Sequence, residues 1–396
     1  MDVMPLERFY EINEPLSIDT CPKCSKKVEL IFNDYKIKID EYTIEVKDLP
    51  QLECANCSHQ VLSSKSKQLI MYLYQECKAR NQLGVQTTPK KLNKRYGFCE
   101  RFNFNYDYRD YENIPGLTGL ANDGFLTPVF FKKEALIYFM HHPEYELNLF
   151  SESYGVFGYK DEFEVPFGLN KNDKLILWLV DLEKLDDSTL KYLEIHNVAS
   201  DHIIMDTSFY DAQLNVIWSE PIIERQIINL RNKAYDLLTS KHGIDLHHLE
   251  GEVIKSLEDI EKPILYNENE IKSVISALHK ILIEAVNTKA LKTYYESVVD
   301  KKEKSYKEWG SIKYYEFLLT QFSAKPVREL IAPLYLLNDL RIIFFHLLSS
   351  EREEKLKQNV ITTLGLTSFN IKEIYLRLNE RLKELFEELT IALEDI

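Results

Sequence analysis

Cys21-Pro22-Lys23-Cys24, then Val28-Glu29-Leu30-Ile31-Phe32, Tyr35-Lys36-Ile37-Lys38-Ile39 and Tyr42-Thr43-Ile44-Glu45-Val46, then Cys54-Ala55-Asn56-Cys57: two Cys-x-x-Cys pairs enclose a run of alternating apolar and polar residues. Such alternation with β-branched content predicts half-buried strands, closing at Leu49-Pro50 just before the second pair. Four thiolates on two tight turns supply the closed tetrahedral shell that a structural Zn2+ prefers, so the spacing predicts a zinc site at Cys21, Cys24, Cys54 and Cys57. His59 is near enough to replace one thiolate, and buried or disulfide-bonded cysteines are the alternative. With every position filled by protein, such a site has no place for a substrate or an activated water, and its role is structural.

Working outward, the chain has 396 residues, of which 45% are hydrophobic, enough for two or three ordinary cores. No apolar run approaches a bilayer span, and the opening Met1-Asp2-Val3-Met4-Pro5-Leu6-Glu7-Arg8 lacks a basic-then-apolar leader, so a cytoplasmic protein without membrane contact is expected. Cys77 and Cys99, left unpaired by any spacing rule, agree with a reducing compartment. A formal charge of −14 excludes a protein that coats nucleic acid by electrostatics alone; any RNA or DNA contact must be local. The basic runs Lys90-Lys91-Leu92-Asn93-Lys94-Arg95 and Lys301-Lys302-Glu303-Lys304-Ser305-Tyr306-Lys307 are local exceptions, for which a solvated face is the simpler reading.

Three regions follow, making the expected class a multidomain α+β protein. Residues 1–63 read as a zinc ribbon, with Gln60-Val61-Leu62 as a short closing strand; this part resembles the zinc-finger halves of bacterial antitoxin proteins. Residues 64–221 read as a mixed α+β region for recognition or sensing. It starts with a helix over Ser64–Lys78 and has strands at Thr127–Phe131 and Lys174–Val180, the latter apolar enough to lie centrally in a sheet. Turns are expected at Asn122-Asp123-Gly124 and Gly168-Leu169-Asn170. The Tyr- and Phe-dense stretch from Phe98 to Tyr111 suits either base stacking or core packing. His141-His142 and His247-His248 have no partner at a ligand spacing and read as surface or capping residues.

Residues 222–396 change character. Apolar residues at i, i+3, i+4 and i+7 predict helices over Ile222–Leu238, Ile271–Ala285, Leu291–Val299, Tyr314–Phe322, Val327–Ser349 and Ile371–Ala392, an all-α bundle. The Leu378, Leu382, Leu385, Leu389, Ala392 stripe of the last suits its own bundle or a helix of a second subunit. In Leu337-Asn338-Asp339-Leu340-Arg341-Ile342-Ile343-Phe344-Phe345-His346, Arg341 and His346 are polar residues in a very apolar helix, a placement that costs free energy unless each is paired or faces a cleft.

The Arg-x4-His spacing, late in a helical domain and followed by Ser349-Ser350 at a helix end, resembles the signature of HEPN domains (higher eukaryotes and prokaryotes nucleotide-binding). Family members often carry a polar residue directly after the Arg; here Ile342 stands there, and Asn338 and Asp339 precede instead. Asp339 shares a helix face with His346 and is placed to orient it. Arg341 and His346, five apart, are about 140° apart on a straight helix, which favours a site shared by two subunits.

What the resemblance implies is metal-independent RNA cleavage by a homodimer that brings two Arg-His sets into one cleft. Arg341 and His346 are its catalytic residues, with Asn338 and Asp339 beside them. It further implies a role in phage defence or as a toxin, with a protein partner that regulates or inhibits it. The alternatives are a non-catalytic zinc-finger binding protein that dimerises through its helices, and a transcriptional regulator. The latter is opposed by the acidic charge and the lack of a recognition helix.

Overall fold

The computed structural model describes residues 3–12, 20–88, 96–107, 109–110, 126–160, 162–258, 260, 262–323 and 325–394. The basic run over 90–95 and the turn at 122–124 lie outside these residues. The chain divides into two compact units, Met1–Glu220 and Pro221–Ile396, of mixed α+β and helical character respectively. Among the described residues no helix is long and apolar enough to cross a membrane.

The first unit opens with β1 (Val3–Met4) and α1 (Leu6–Ile12), followed by the long hairpin of β2 (Val28–Ile39) and β3 (Tyr42–Cys54). Strands expected as separate pieces at Val28–Phe32 and Tyr35–Ile39 are one strand. The ladder from Val28↔Cys54 to Ile39↔Tyr42 slips only between Asn33 and Tyr35. Asp34 fills that slip, taking the Asp48 N–H at 3.0 Å and the Lys47 ammonium at 2.8 Å. The hairpin turns on Asp40-Glu41, and Asp40 takes the left-handed φ of 50° that a two-residue turn demands.

On its outer edge β3 pairs with β4 (Gln60–Leu62) near the cysteines and with β5 (Gly84–Thr87), in parallel, near the turn. Between these strands runs α2 (Ser64–Ala79), capped by the Ser63 hydroxyl, which accepts the Ser66 N–H at 3.2 Å. Its Ile70, Leu73, Tyr74 and Cys77 close a core over Ile37, Ile39, Ile44 and Val46.

Next come β6 (Pro128–Lys132), α3 (Leu136–His141), β7 (Tyr145–Ser151), β8 (Tyr154–Tyr159), β9 (Phe163–Leu169) and β10 (Lys174–Trp178). They are followed by α4 (Asp187–His196), β11 (Asn197–Val198) and α5 (Ser208–Tyr210). The strands form an antiparallel sheet in the order β11-β6-β10-β9-β8-β7, with β6 and β10 buried at its centre. The cysteine end of the hairpin shares a core with this sheet: Cys21, Val28, Leu52 and Cys54 pack with Phe130, Ile176, Trp178 and Phe209. Position 63, expected as a domain seam, therefore falls inside one compact unit.

The second unit contains α6 (Ile223–His242), α7 (Glu250–Glu258), α8 (Glu268–His279), α9 (Thr288–Val298), α10 (Ser311–Phe322), α11 (Val327–Phe345), α12 (Ser350–Leu364) and α13 (Ile371–Glu394) around one apolar core. The helix expected to reach Ser349 stops four residues earlier, at Phe345. Ser349 is the cap of α12, its hydroxyl accepting the Arg352 N–H at 3.4 Å, so the chain must leave the helix before it.

Within this core α6 and α13 bury polar groups. The Tyr375 hydroxyl donates to the wholly buried Glu224, and burial pushes the Glu224 carboxyl above the ordinary carboxylate range, the Tyr375 contact opposing it. The folded chain thus keeps a proton that the unfolded chain releases, and stability falls as pH rises from the ordinary glutamate range towards the raised one. Glu224→Gln, which keeps an acceptor for Tyr375, is expected to flatten that slope; urea midpoints of both proteins measured across this range check it.

Candidate metal centre and helical polar cluster

The two cysteine turns are one turn made twice. Cys21 O accepts the Ser25 N–H and Cys54 O the Ser58 N–H, each at 2.8 Å; Cys21 N donates to Lys26 O at 2.7 Å and Cys54 N to His59 O at 3.0 Å. Ser25 and Ser58 take the same left-handed backbone, φ 56° and 51°. Because Val28 and Cys54 are register partners, the β2–β3 ladder brings the turns face to face.

All four sulfurs lie within 3.4–3.9 Å of one another. Four sulfurs at a metal–sulfur distance of about 2.3 Å stand about 3.8 Å apart in a tetrahedron, so the cluster has the size to hold a metal ion. The Lys26 N–H lowers the Cys24 thiol to about 6. At Cys57 the His59 N–H pulls down, but the neighbouring sulfurs, Cys21 first, push the thiol up to about 12. The opposite directions at Cys24 and Cys57 follow from sulfurs crowded against one another. His59 offers the backbone carbonyl to which the Cys54 N–H donates and is not one of the four clustered ligands; Cys77, on α2, is buried in the core which that helix closes.

A second group, Asp107, Asp110 and His202, was not singled out from the sequence. Asp110, almost wholly buried, meets His202 Nδ1 at 2.5 Å and the Ser200 hydroxyl at 2.5 Å. Burial pulls the imidazole down, but the Asp110 hydrogen bond and charge outweigh it and its pKa rises. Arg109 grips Asp107 at 3.0 and 2.7 Å, pairs with Asp48 and lies 4.0 Å over the Phe32 ring. Arg109 sets a positive charge against the carboxylates of Asp107 and Asp48. In the nearby aromatic run Phe98 and Phe104 are buried, the latter meeting Phe131 edge-on at 5.9 Å, Phe102 and Tyr106 are half-buried, and positions 108 and 111 lie outside the described residues.

In the helical unit the predicted residues separate. Arg341 and Asn338 come together with His279, the last residue of α8, and Glu284, at the end of the turn that follows it. Arg341 Nη2 lies 3.4 Å from Glu284 Oε1, His279 Nδ1 lies 3.2 Å from the same oxygen, and His279 Nε2 lies 3.3 Å from Asn338 Oδ1. Burial holds the His279 pKa down, Arg341 adds to this, and Asn338 and Glu284 oppose it.

Asp339 instead accepts the Asn359 amide of α12 at 2.7 Å, so it does not orient His346. His346 follows the last turn of α11 in extended backbone, exposed, and among the described residues no hydrogen bond or ion pair joins its ring to Arg341 or to any other side chain. The Arg341 side chain is 38% exposed. The histidine pairs lie elsewhere: His142 Nδ1 accepts the Glu144 N–H at 3.3 Å, and His247 sits 3.1 Å from Asp236.

No family model, no curated protein and no solved structure matches this chain.

Proposed function

We propose that the helical unit is a metal-independent endoribonuclease of the HEPN type, working as a homodimer in the cytoplasm. In this reading the four cysteines hold a structural Zn2+ and the first unit recognises or senses what sets the nuclease to work, in phage defence or toxin action restrained by a regulatory partner. One observation carries the reading: Arg341 and His346 both reach solvent at the end of α11. Beside His346, Phe345 is 51% exposed and Leu347 fully so, apolar surface that a second copy would cover.

The chemistry needs few groups. The imidazole of His346 takes the proton from a ribose 2′-OH, whose oxygen attacks the adjacent phosphorus; the bond from phosphorus to the 5′-oxygen breaks, and the imidazolium so formed gives its proton to that oxygen. Arg341 of the other copy holds, through its guanidinium, the charge that gathers on the phosphoryl oxygens, so that one phosphate is served by two chains. The products are a 2′,3′-cyclic phosphate and a 5′-hydroxyl. A synthetic RNA incubated with the protein in EDTA should give these ends, and a 2′-deoxy nucleotide at the cut should block it. Cleavage of the deoxy substrate, or 3′-hydroxyl ends, would remove the proposal.

The pairing of Arg341 with Glu284 favours a second reading, in which the helices only dimerise and the cysteine-bearing unit binds a partner. RNA binding or protein capture without strand scission under any condition would select it.

A further inference from the structure

A histidine buried in an apolar helix is costly unless its ring nitrogens find partners. His279 ends the run Ile275-Ser276-Ala277-Leu278 on α8 and its side chain is 5% exposed. Nε2 meets Asn338, while Nδ1 makes no hydrogen bond among the described residues and faces Glu284, five residues on, which a regular helix would carry about 140° round the axis.

The backbone removes that offset. After His279 the chain makes a π turn over Lys280–Glu284, and the Ala285 N–H reaches back five residues to Lys280 O at 2.8 Å. The wider turn brings Glu284 round to the face of His279, and its Oε1 stands between the imidazole at 3.2 Å and Arg341 at 3.4 Å. Asn338 Oδ1, 3.3 Å from Nε2, fixes the other side of the ring.

We infer that the His279–Glu284 pair, placed by the π turn, is the positioning device of Arg341, aiming its guanidinium at the phosphate of a bound RNA strand. The contact is single and made at the tip of the fork. A guanidinium carries five N–H donors, so one carboxylate oxygen sets its direction and leaves the rest for a phosphate. Glu284 is itself 48% exposed, so it lies at the rim of the cluster, with the buried His279 ring 3.2 Å beneath its Oε1. Neither residue needs to touch the reacting atoms. The inference rests on the nuclease reading for the role of Arg341, but the clamp can be measured apart from it.

The test uses the full-length protein with Glu284→Ala, Glu284→Gln and His279→Asn. The Arg341 Nε–Hε resonance, assigned by its loss in Arg341→Lys, reports the order of the guanidinium; kcat and KM for RNA are read separately. A freed guanidinium is expected to lower kcat about 10- to 100-fold in Glu284→Ala while KM stays within about twofold, because orientation and not ground-state binding is lost. The resonance should shift and lose intensity in step, with Glu284→Gln and His279→Asn intermediate. An Arg341 resonance unchanged in Glu284→Ala, or a rise in kcat, overturns the inference. If the unaltered protein cleaves no RNA, the nuclease reading fails by itself, and the resonance still decides whether the clamp exists.

Discussion

Arg341→Ala is expected to lower RNA cleavage about 10²- to 10³-fold, the loss that follows removal of one preorganised charge-stabilising donor, and His346→Ala about 10²- to 10⁴-fold, the usual contribution of a positioned acid or base. Both effects should fall on the rate and not on the fold. His346 is exposed without a side-chain partner among the described residues, and removing Arg341 frees a half-exposed Glu284 that water can solvate. Surface substitutions of this kind change stability by about 0.5 kcal/mol or less, so unfolding midpoints should hardly move. Arg341→Lys keeps the charge but loses the planar fork, and should recover only part of the rate. Initial rates on a labelled oligonucleotide, with circular dichroism of each variant, check the set.

The second large effect belongs to the cysteines. Cys21 and Cys54 are buried where the hairpin meets the central sheet, packed with Phe130, Ile176 and Trp178. Withdrawal of a bound metal leaves four thiols crowded at the foot of β2 and β3. Structural zinc contributes about 10–16 kcal/mol to isolated fingers that have no other core. Here the shared core retains part of the hairpin, so Cys54→Ser or a strong chelator is expected to cost on the order of 5 kcal/mol in the first unit. Hydrogen exchange should find protection lost at Val28–Leu30 and Leu52–Cys54 and kept along α13. Metal analysis should return one Zn2+ per chain before treatment and none after; an intact hairpin in metal-free protein would contradict the assignment.

What was legible in the sequence is what depends on local period and spacing. Alternation marks β2 and β3, a 3.6-residue repeat marks α6, α8, α11 and α13, and cysteines paired with two residues between them announce the sulfur cluster. The slip at Asn33–Tyr35 and the stop at Phe345 were missed because each is decided by a side chain bonding to a remote or following backbone group: Asp34 to Asp48 N, Ser349 to Arg352 N.

The polar sites were less legible for a related reason. Asp110 and His202 meet across 92 positions of chain, and nothing in either neighbourhood names the other. His279 and Glu284 are close in sequence but out of phase in a regular helix; only the π turn joins them, and hydrophobic period does not foretell it. The boundary at residue 63 was placed where the cysteine-bearing stretch ends in sequence; in space the cysteine end packs with side chains from Phe130 to Phe209, which no local pattern names.

The central claim, that Arg341 of one copy and His346 of another serve one phosphate, is tested most directly by mixing the two inactive single variants. Arg341→Ala and His346→Ala chains, unfolded and refolded together, should regain about a quarter of the unaltered rate, since about half the dimers are mixed and each carries one of two complete pairs. A mixture no more active than its components, while the unaltered protein cuts RNA as an isolated monomer, would contradict it.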